Sequence, residues 1–587
     1  MKLFSNSNKI KVGILLLLAL GMCVGLRAET QYAPNEKETK LMSLLENRLL
    51  KPFRNSTVDM PQRNGNQIQA EVSGKPRTAL DTIWVREYRG PGGGDCYPWP
   101  HAIAVDDSGN VYMAGASYGI GTQRDYTTIK YDREGNEIWV ARYDLYGGED
   151  VVRAMTIDDS GNVYVTGISG YLMSSTLTTI KYDSNGDTVW VRQHTGSGGF
   201  LNYGSALVVD DSGNAYVTGF ETGVSLDGNC VTLKYNKEGS LIWCAIYDTP
   251  GTDMDLAEGM DIALDNAGNI YVGGHYTPDL GVTDYMTIKY SPDGETLWCQ
   301  IWDGGDNDWD YGEHIVADDS GNSYITGAAN FYETTTLKYD TNGNLQWVNP
   351  GTSYYPLDLT RDASGNILVT SYSNTYNGSP WVTIKYNPAG DCVWWRSYSD
   401  GKRPWDMTVD SSGNLYVAGS GIGPVCEDEY HTVKYDSSGN QLWVVTYNGY
   451  GWYNCAFGVA LDDSGYVYVT GEVDENYGGS GSITTIKYRQ LPIGVAEQQA
   501  VNTGANGFRV VNPVRDNIIV YVPNNINGYT SLSLYNVSGR LVKNLNADLT
   551  KTERQINIPA NELSNGIYFL RIHTAKEDQV LKVVKVR

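Results

Sequence analysis

The chain has 587 residues, more than one ordinary domain needs but compatible with a repeat array joined to a smaller domain. Its formal net charge of −24 makes nucleic acid or anionic lipid a poor ligand, because both are polyanions. Hydrophobic residues make up 41% of the chain, and 44 tyrosines, 15 tryptophans and 66 glycines are typical of a turn-rich β protein.

The N-terminal segment 1–28 has the parts of a secretory signal peptide. Basic residues come first, an apolar stretch from Val12 to Leu20 follows, and "LRA" before Glu29 supplies a cleavage site. No other apolar run is long enough to cross a membrane. The sequence therefore predicts an exported protein without a transmembrane segment, whose mature form has a net charge near −28 because the signal carries four cationic side chains.

Residues 29–77 are predicted to form a linker with one short amphipathic helix over "NEKETKLMSLLENRLL". Seven of the eight cysteines follow the signal, so at least one has no partner within the chain. The positions of Cys96, Cys426 and Cys455 allow one disulfide among the three. The sequence has no CxxC pattern and no Cys/His cluster, which argues against a zinc site.

A turn motif recurs eight times between residues 78 and 490, at intervals of 44 to 55 residues. Its glycine is found at Gly109, Gly161, Gly213, Gly268, Gly321, Gly365, Gly413 and Gly465. In "IDDSGNVYVTG" at 157–167, β-branched and aromatic runs flank "DDSG", which is typical of a β-hairpin. A catalytic acid pair would not occur eight times, nor lose its second member in three copies, so the motif is interpreted as a turn.

Two more signatures follow each hairpin. One is a T-x-K-Y strand, first seen as "TIKY" at 128–131, and the other is a glycine turn followed by a tryptophan, first seen as Trp139. Each lysine is predicted to lie along the adjacent repeat and to pair with an acid there. Four strands in each unit of about 50 residues predict an all-β fold with an eight-bladed β-propeller of four-stranded blades, and seven blades are the alternative.

The order of the strands also predicts how the ring closes. A lone outer strand with Trp84 precedes the first hairpin, and the repeats end on a third strand at 485–488. We expect these two strands to pair, which removes the exposed sheet edges. The pattern "DDSGNVYVTG…TTIKYDSNGDTVWV" resembles the bacterial SBBP-type propeller repeat and, more loosely, the NHL-type repeat. The SBBP family name implies seven blades, whereas eight units are counted between residues 78 and 490.

The chain changes character after Tyr488. Residues 491–505 are predicted to be a linker, and residues 506–587 a small antiparallel β-sandwich with "SG" and "NG" turns. This segment resembles the type A C-terminal sorting domain of type IX secretion substrates, although Val511 departs from the family's usual proline. The matching residues are Asn512, Pro513, Asp516, Gly539, Arg540, Gly566 and Tyr568. The resemblance implies the type IX secretion machinery as a partner, passage through the periplasm, and an extracellular or outer-surface location.

A ligand site is predicted on the face of the long connections, because these vary most between repeats. The richest connection is "WDGGDNDWDYGEH" at 302–314. The predicted ligand-binding residues are Trp302, Asp306, Asp308, Trp309, Tyr311, His275, Tyr276, Trp452 and Tyr453. Their aromatic rings and carboxylates suit a neutral polysaccharide, and packing between blades is the alternative interpretation of the rings.

Asp306, Asp308 and Asp310 have the D-x-D-x-D spacing of a calcium loop, which makes Ca²⁺ the one cofactor the sequence suggests. Gly312 comes one residue later than in an EF-hand. A structural role for Asp310 is the alternative, since Asp150 and Asn454 occupy the same offset before their hairpins.

Three function classes remain open. A non-catalytic binding or adhesion scaffold, with a polysaccharide or a surface protein as partner, is favoured, and no catalytic residue is assigned. A carbohydrate-active enzyme would need two acids outside the repeat consensus, about 5 to 10 Å apart. A quinoprotein-like dehydrogenase resembles the chain in its eight blades and Trp-bearing turns, but the chain has no adjacent Cys-Cys pair and no CxxCH. No G-x-S-x-G, H-E-x-x-H or phosphate-binding loop is present either.

Overall fold

The structure, a computed structural model, describes the following residues: 80–92, 99–171, 174–223, 228–247, 255–278, 281–305, 309–330, 332–351, 355–372, 380–422, 428–449, 453–474, 481–490, 509–510, 517–521, 529–536, 541–548, 555–563, 566–573 and 578–585. The predicted signal peptide, both predicted linkers, Cys96 and Cys426 lie outside them. Within these ranges every regular element is a β-strand. No helix of the described chain is long and apolar enough to span a membrane.

The chain divides into two compact units, residues 1–490 and 491–587. The strands of the first unit follow the sequence repeats, four strands to a repeat. Repeat 1 contains β2 (Trp99–Val105), β3 (Val111–Tyr118), β4 (Arg124–Tyr131) and β5 (Glu137–Tyr143). Repeat 2 contains β6 (Val151–Ile157), β7 (Val163–Tyr171), β8 (Ser174–Tyr182) and β9 (Thr188–His194). Repeat 3 contains β10 (Asn202–Val209), β11 (Ala215–Thr222), β12 (Gly228–Tyr235) and β13 (Leu241–Tyr247).

The remaining repeats continue this order. Repeat 4 contains β14 (Leu256–Leu264), β15 (Ile270–Thr277), β16 (Asp284–Tyr290) and β17 (Thr296–Trp302). Repeat 5 contains β18 (Tyr311–Ala317), β19 (Ser323–Ala329), β20 (Glu333–Tyr339) and β21 (Leu345–Pro350). Repeat 6 contains β22 (Tyr355–Arg361), β23 (Ile367–Tyr372), β24 (Trp381–Tyr386) and β25 (Cys392–Tyr398). Repeat 7 contains β26 (Gly401–Val409), β27 (Leu415–Ile422), β28 (Asp428–Tyr435) and β29 (Gln441–Tyr447). Repeat 8 contains β30 (Tyr453–Leu461), β31 (Tyr466–Asp474), β32 (Gly481–Gln490) and the N-terminal β1 (Leu80–Tyr88).

Each repeat is an antiparallel sheet whose strands pair in sequence order. A single parallel pair, Gly228 with Leu256, also joins repeats 3 and 4, so these two form one eight-stranded sheet. The first strand of each repeat, here called the inner strand, contacts the inner strands of the preceding and following repeats. The contacts run from β2 through β6, β10, β14, β18, β22, β26 and β30 and return to β2. This closed cycle of sheets is the architecture of a β-propeller, which confirms the predicted fold class.

The N-terminal strand closes the ring as predicted. β1 pairs antiparallel with β32, and Trp84 lies opposite Lys487. Trp84 Nε1 then donates a hydrogen bond to the Arg133 carbonyl of repeat 1 (3.2 Å), and Lys487 Nζ donates to the same oxygen (2.9 Å). The strand that comes first in the sequence therefore supplies the outer strand of the last repeat and attaches it to the first.

Neighbouring repeats are joined by one contact that recurs around the ring. Between repeats 1 and 2, Trp139 Nε1 (3.2 Å) and Lys130 Nζ (3.0 Å) both donate to the Ser184 carbonyl. The Trp139 ring packs on Gly186, whose φ of 87° suits glycine and where an added Cβ would lie 2.6 Å from the ring. The prediction that each lysine reaches the next repeat is thus right.

The predicted acid partner of these lysines in the adjacent repeat is wrong. Lys385 donates to the Ser437 carbonyl of the next repeat (3.3 Å), whereas its carboxylate partner is Asp362 of its own repeat (2.7 Å). The physical reason is that the turn aspartates face their own sheet, while each neighbouring turn offers a free backbone carbonyl.

The "DDSG" segments are turns, as the sequence analysis interpreted them. Asp158 Oδ1 accepts the backbone N–H groups of Ser160 (3.0 Å) and Asn162 (2.9 Å), and its Oδ2 accepts the Tyr164 hydroxyl (3.1 Å). Gly161 has a φ of 73°. The first carboxylate of each motif therefore accepts hydrogen bonds from the hairpin that it caps.

The cysteines of the described residues carry free thiols, namely Cys230, Cys244, Cys299, Cys392 and Cys455. Cys455 is buried and takes no part in a disulfide. This removes two of the three predicted pairings, and the third, Cys96 with Cys426, lies outside the described residues.

The second unit contains two antiparallel sheets. A three-stranded sheet orders β33 (Arg509–Val510), β34 (Asn517–Tyr521) and β37 (Gln555–Pro559). A four-stranded sheet orders β36 (Leu541–Asp548), β35 (Tyr529–Asn536), β38 (Gly566–His573) and β39 (Asp578–Lys585). Apolar residues of both sheets, among them Ile518, Leu532 and Leu570, form one buried cluster, as expected for two sheets packed face to face.

Candidate functional site around the ring axis

Every inner strand has a β-bulge close to its start. In β14 the register shifts between Gly259 and Asp261, and in β18 it shifts between Gly312 and His314. A bulge re-aims side chains and interrupts the alternation of the strand. Because each inner strand starts after a long connection and ends at a "DDSG" turn, the bulges lie towards the face of the long connections.

Six side chains near these bulges form a connected arc that we call the axial belt. They come one each from repeats 2 to 7 and comprise Arg153, Tyr203, Glu258, Glu313, Tyr355 and Arg403. The sequence analysis missed all six. Four of the six are charged residues at the third position of their strand, as in "VVRAM" at 151–155. This signal is weak, because the residue types at these positions vary from repeat to repeat.

The first half of the axial belt is held by one arginine, one tyrosine and one glutamate. The guanidinium of Arg153 lies 4.1 Å from the centre of the Tyr203 ring. The Tyr203 hydroxyl donates to Glu258 Oε1 (2.7 Å). His275 Nε2 lies 3.7 Å from Glu258 Oε2, and the His275 ring meets Tyr311 edge-on at 5.3 Å. These contacts link inner strands of three consecutive repeats.

The second half repeats this chemistry in the opposite order. The Tyr355 hydroxyl donates to Glu313 Oε1. The Tyr355 and Tyr372 rings lie 6.3 Å apart, and the Arg403 guanidinium lies 5.2 Å from the centre of the Tyr372 ring. Arg403 also stacks on Trp405 (5.8 Å), which packs on Phe457. Burial, with a smaller contribution from Glu258, raises the pKa of Glu313 to about 7.

A layer of acids lies one position past the bulges of repeats 4, 6 and 7. Asp261 Oδ2 accepts the N–H of Ile315 (2.9 Å), Asp358 Oδ2 that of Met407 (2.8 Å) and Asp406 Oδ2 that of Val459 (2.7 Å). Each bond joins one inner strand to the next. We call Asp261, Asp358 and Asp406 the axial acid layer.

Burial shifts the pKa of every group in this region. It raises the pKa of Asp261 to about 7 and that of Asp406 to about 6. Burial and the neighbouring Asp406 raise the pKa of Asp358 well above its ordinary value. Burial lowers the pKa of His314, which occupies the equivalent position in repeat 5, to about 4. The raised pKa values favour the uncharged form of these acids in the folded protein at acidic pH, and their hydrogen bonds join neighbouring inner strands.

The structure places the predicted ligand residues in three different settings. Trp309 and Tyr311 are half-buried and meet edge-on at 6.3 Å, beside the axial belt, as does His275. Trp302 packs edge-on against the buried Tyr285 ring (5.1 Å), and Tyr276 packs on the core of repeats 3 and 4. Tyr453 is 39% exposed. Asp306, Asp308 and Trp452 lie outside the described residues.

Asp306 and Asp308 of the predicted metal triad lie outside the described residues, so the triad stays a prediction. Its third member, Asp310, belongs to a group of acids within the described residues. Asp310 lies with Asp284 and Asp303, and their carboxylate oxygens are within 4.8 Å of one another. Asp310 accepts the N–H groups of Gly304 (2.6 Å) and Asn330 (2.9 Å), which bears out the structural interpretation of this residue. Burial and then the charges of Asp303 and Asp310 raise the pKa of Asp284 to about 6.

Repeat 1 contains the same three-acid arrangement in Asp125, Asp144 and Asp150. There Arg142 forms an ion pair with Asp125 at 2.7 Å. Repeat 4 has Ile301 at the position of Arg142, so its acids lack this cation. Oxygen ligands of this kind suit Ca²⁺, but the two backbone bonds to Asp310 leave its carboxylate with a structural task.

A shallow groove of about 400 Å³ lies at the closure of the ring, where Trp84, Arg133 and Lys487 meet. Its lining repeats the tryptophan and lysine contact found between other neighbouring repeats. The groove is therefore a product of ring closure, and we do not assign it a ligand.

Comparison with known proteins identifies the C-terminal segment. Residues 512–586 match a family model described as a secretion system C-terminal sorting domain. The predicted sorting domain is confirmed. It points to secretion, with the extracellular space or the cell surface as destination, and it implies interaction with the secretion machinery.

The repeat region has more distant relatives. An uncharacterized WD repeat-containing protein, L264, of Acanthamoeba polyphaga mimivirus is 26% identical over 64% of this chain. The match spans 35% of the length of that relative. Among solved structures, Sqt1 from Chaetomium thermophilum covers 70% of this chain and 100% of its own, with 9% identity and a TM-score of 0.47.

The C-terminal WD40 domain of Sif2 covers 70% of this chain and 99% of its own, with 10% identity and a TM-score of 0.44. The WD40 domain of SCAP from fission yeast covers 69% and 97%, with 9% identity and a TM-score of 0.38. All three scores are below 0.5, so the propeller fold rests on the strand pairing and ring closure of this chain.

Proposed function

We propose that this secreted propeller is a non-catalytic binding protein that captures a polysaccharide at the axial belt. One observation carries the proposal: six consecutive repeats place a polar, charged or aromatic residue near the bulge of the inner strand. Tyr203 contacts both Arg153 and Glu258. Tyr355 bonds Glu313, and the Tyr372 ring lies between Tyr355 and Arg403. Repeat 8 has Cys455 and Phe457 at the corresponding positions and still pairs into the ring, so ring closure does not require polar side chains there. The belt lies towards the long connections, which the sequence analysis favoured for a ligand.

The chemistry of the belt and its neighbours suits sugar rings. Tyr311, Trp309 and Trp405 are half-buried aromatic side chains, and sugars stack on such faces. The half-buried Glu313 and Tyr355 supply polar groups of the kind that fix a ligand's orientation, whereas Tyr203 and Glu258 are buried and support the belt from within.

A glycan array with the mature full-length protein tests this function. Replacing Trp309 and Tyr311 by alanine should abolish binding, because both rings adjoin the belt. Replacing Asp159 and Ser160 in an exposed turn on the opposite face is the matched control and should leave affinity unchanged. Binding that survives the first double substitution and is lost with the second would contradict the proposal.

Calcium is part of this proposal as an assisting ion. Asp284, Asp303 and Asp310 supply the oxygen atoms for it in repeat 4. Binding should be compared in Ca²⁺ and in chelator, with Asp284→Asn as the variant that removes one carboxylate and Asp144→Asn as the matched change in repeat 1. Equal affinities in both buffers would remove calcium from the proposal.

A carbohydrate-active enzyme is the second candidate, and Glu313 favours it. Its pKa of about 7 keeps it protonated near neutral pH, and the neighbouring Glu258 is the second acid of such a pair. Glu313 would protonate the glycosidic oxygen while Glu258 activates water or attacks the sugar. Release of new reducing ends by the wild type, and its loss in Glu313→Gln, would support this candidate; no release from any bound glycan would exclude it.

We also infer the finer organisation of the chain. The eight repeats are the eight blades of an SBBP-type ring at residues 78–490, residues 1–28 are a cleaved signal, and residues 506–587 are the sorting domain. After export the ring is attached to the outer surface, where a polysaccharide or a surface protein is within reach. Mass spectrometry of the N-terminus and labelling of intact cells test the cleavage and the attachment.

A further inference from the structure

Two arginines of the axial belt lack the partners that the other arginines of the ring have. The described part of the ring contains eleven arginines. Six form ion pairs with carboxylates, namely Arg89, Arg124, Arg133, Arg142, Arg361 and Arg489. Arg86, Arg192 and Arg396 donate to backbone carbonyls of the next repeat. Only Arg153 and Arg403 have neither kind of partner among the described residues.

Both guanidinium groups are instead positioned by aromatic faces. Arg153 stacks on Tyr203 and bonds its hydroxyl, and Arg403 stacks on Tyr372 and Trp405. Stacking fixes the plane of a guanidinium and leaves N–H groups along its edge, which is the geometry that binds a carboxylate in two places. Both arginines are half-buried, so solvent and ligand reach them.

The acids between the two arginines bond other side chains and not the guanidinium groups. Glu258 is occupied by Tyr203 and His275, and Glu313 by Tyr355. Lys402 forms an ion pair with Asp428 near Arg403. A chain of net charge −24 offers many acids with which an arginine could pair. Arg153 in repeat 2 and Arg403 in repeat 7 nevertheless form no ion pair among the described residues.

We propose that the axial belt selects a polysaccharide whose sugars carry carboxylates, with Arg153 and Arg403 each binding one uronic acid group. This inference rests on the proposed function, narrows its ligand from glycans in general to acidic glycans, and replaces the neutral polysaccharide that the sequence predicts. Two arginines at opposite ends of one belt match a polymer that presents acids at intervals. The negative charge of the rest of the protein disfavours polyanions elsewhere on the surface, so binding is confined to this site.

The experiment compares each acidic oligosaccharide with its own neutral form. Oligogalacturonate, oligomannuronate and oligoglucuronate are titrated into the full-length mature protein beside their methyl esters, which keep the sugar and remove the charge. One charged hydrogen-bonded pair contributes about ten- to a hundredfold in affinity. We expect at least one acid form to bind about tenfold or more tightly than its ester, with a preference that shrinks as salt is raised.

Arg153→Gln and Arg403→Gln should each reduce this preference, and the double variant should abolish it while the ester still binds. Arg133→Gln is the control, because Arg133 is an exposed arginine on the rim. Circular dichroism spectra and melting temperatures establish that the variants fold. Equal binding of acid and ester, or a preference that survives the double substitution, would overturn the inference and leave the proposed function standing. If no glycan binds in either form, both fail.

Discussion

One glycine in each outer turn controls how closely two repeats pack. Gly186 has a φ of 87° and lies under the Trp139 ring, where an added Cβ would be 2.6 Å away. Gly199 also has a positive φ, 67°, but has open space around it. Alanine is strained in backbone conformation at both positions, so a comparison of the two isolates the cost of packing.

We therefore expect Gly186→Ala to lower the free energy of unfolding by about 1–3 kcal/mol more than Gly199→Ala, the usual range for overpacking. Denaturant unfolding followed by tryptophan fluorescence measures the difference. Equal losses would mean that the ring of Trp139 can move aside, and that the contact is less tight than the structure describes.

The axial acid layer makes stability depend on pH. Burial raises the pKa of Asp406 to about 6 and that of Asp358 well above its usual value, so the folded state binds protons that the unfolded state releases. The contribution of these groups to the free energy of unfolding should consequently be greatest below about pH 4, the ordinary pKa of an aspartate in the unfolded chain. It should fall as the pH rises from there through about 6.

Asp406→Asn removes this titration while keeping a side chain of the same shape. We expect its free energy of unfolding to change less than that of the wild type between pH 5 and pH 8, and the two changes should differ by roughly 1–3 kcal/mol. Asp107→Asn, in an exposed turn, is the control and should keep the wild-type slope. A wild-type slope in Asp406→Asn would show that other groups govern the pH response.

Among the strands of the first unit, β1 is the one that closes the ring. It covers the edge of β32 and supplies Trp84, the only tryptophan within reach of the Arg133 carbonyl in the described ring. A chain that begins at residue 100 would expose the free N–H and C=O groups of β32 and the apolar surface under Trp84. We expect it to aggregate on size-exclusion chromatography, whereas a chain that begins at residue 78 should elute as a single soluble species. A soluble, monodisperse product from residue 100 would contradict this role.

The elements of the ring were predictable because their signals repeat. The "DDSG" turn, the T-x-K-Y strand and the outer tryptophan recur in fixed order, and they predicted the order of strands, the closure by β1 and the role of Asp158 as a turn residue. The partner of the lysines was not predictable, because the carbonyl of Ser184 belongs to no side-chain pattern. Backbone acceptors are revealed only when two repeats are placed side by side.

The site was only partly predictable, for two physical reasons. The bulges break strict alternation, so the position of Glu313 could not be assigned to the axis from the pattern of β18. The aromatic residues near 302–314 divide between roles: Trp302 packs on Tyr285, whereas Tyr311 adjoins the belt. Composition cannot separate a core ring from a ligand platform when both lie in one connection.

At the scale of the whole molecule, the proposed ligand site and the sorting domain lie in different compact units. The first unit contains the belt and a ring of repeated contacts, and the second contains a sandwich core of its own that includes Ile518, Leu532 and Leu570. Residues 512–586 match a sorting domain, which acts on whatever passenger precedes it. Substitutions in the belt should accordingly change ligand affinity without changing secretion.

The converse follows for the C-terminal unit. In a host with a type IX system, deletion of residues 506–587 should leave the ring folded in the periplasm, because the first unit has its own buried cores and closes on itself through β1. Cell fractionation with an antibody against the ring measures the location, and glycan binding by the periplasmic material shows that it is folded. Arg153→Gln in the full-length chain is the matched control and should be secreted normally. Surface display that persists after the deletion would show that the signal for export lies elsewhere in the chain, whereas insoluble periplasmic material would mean that the ring depends on the second unit to fold.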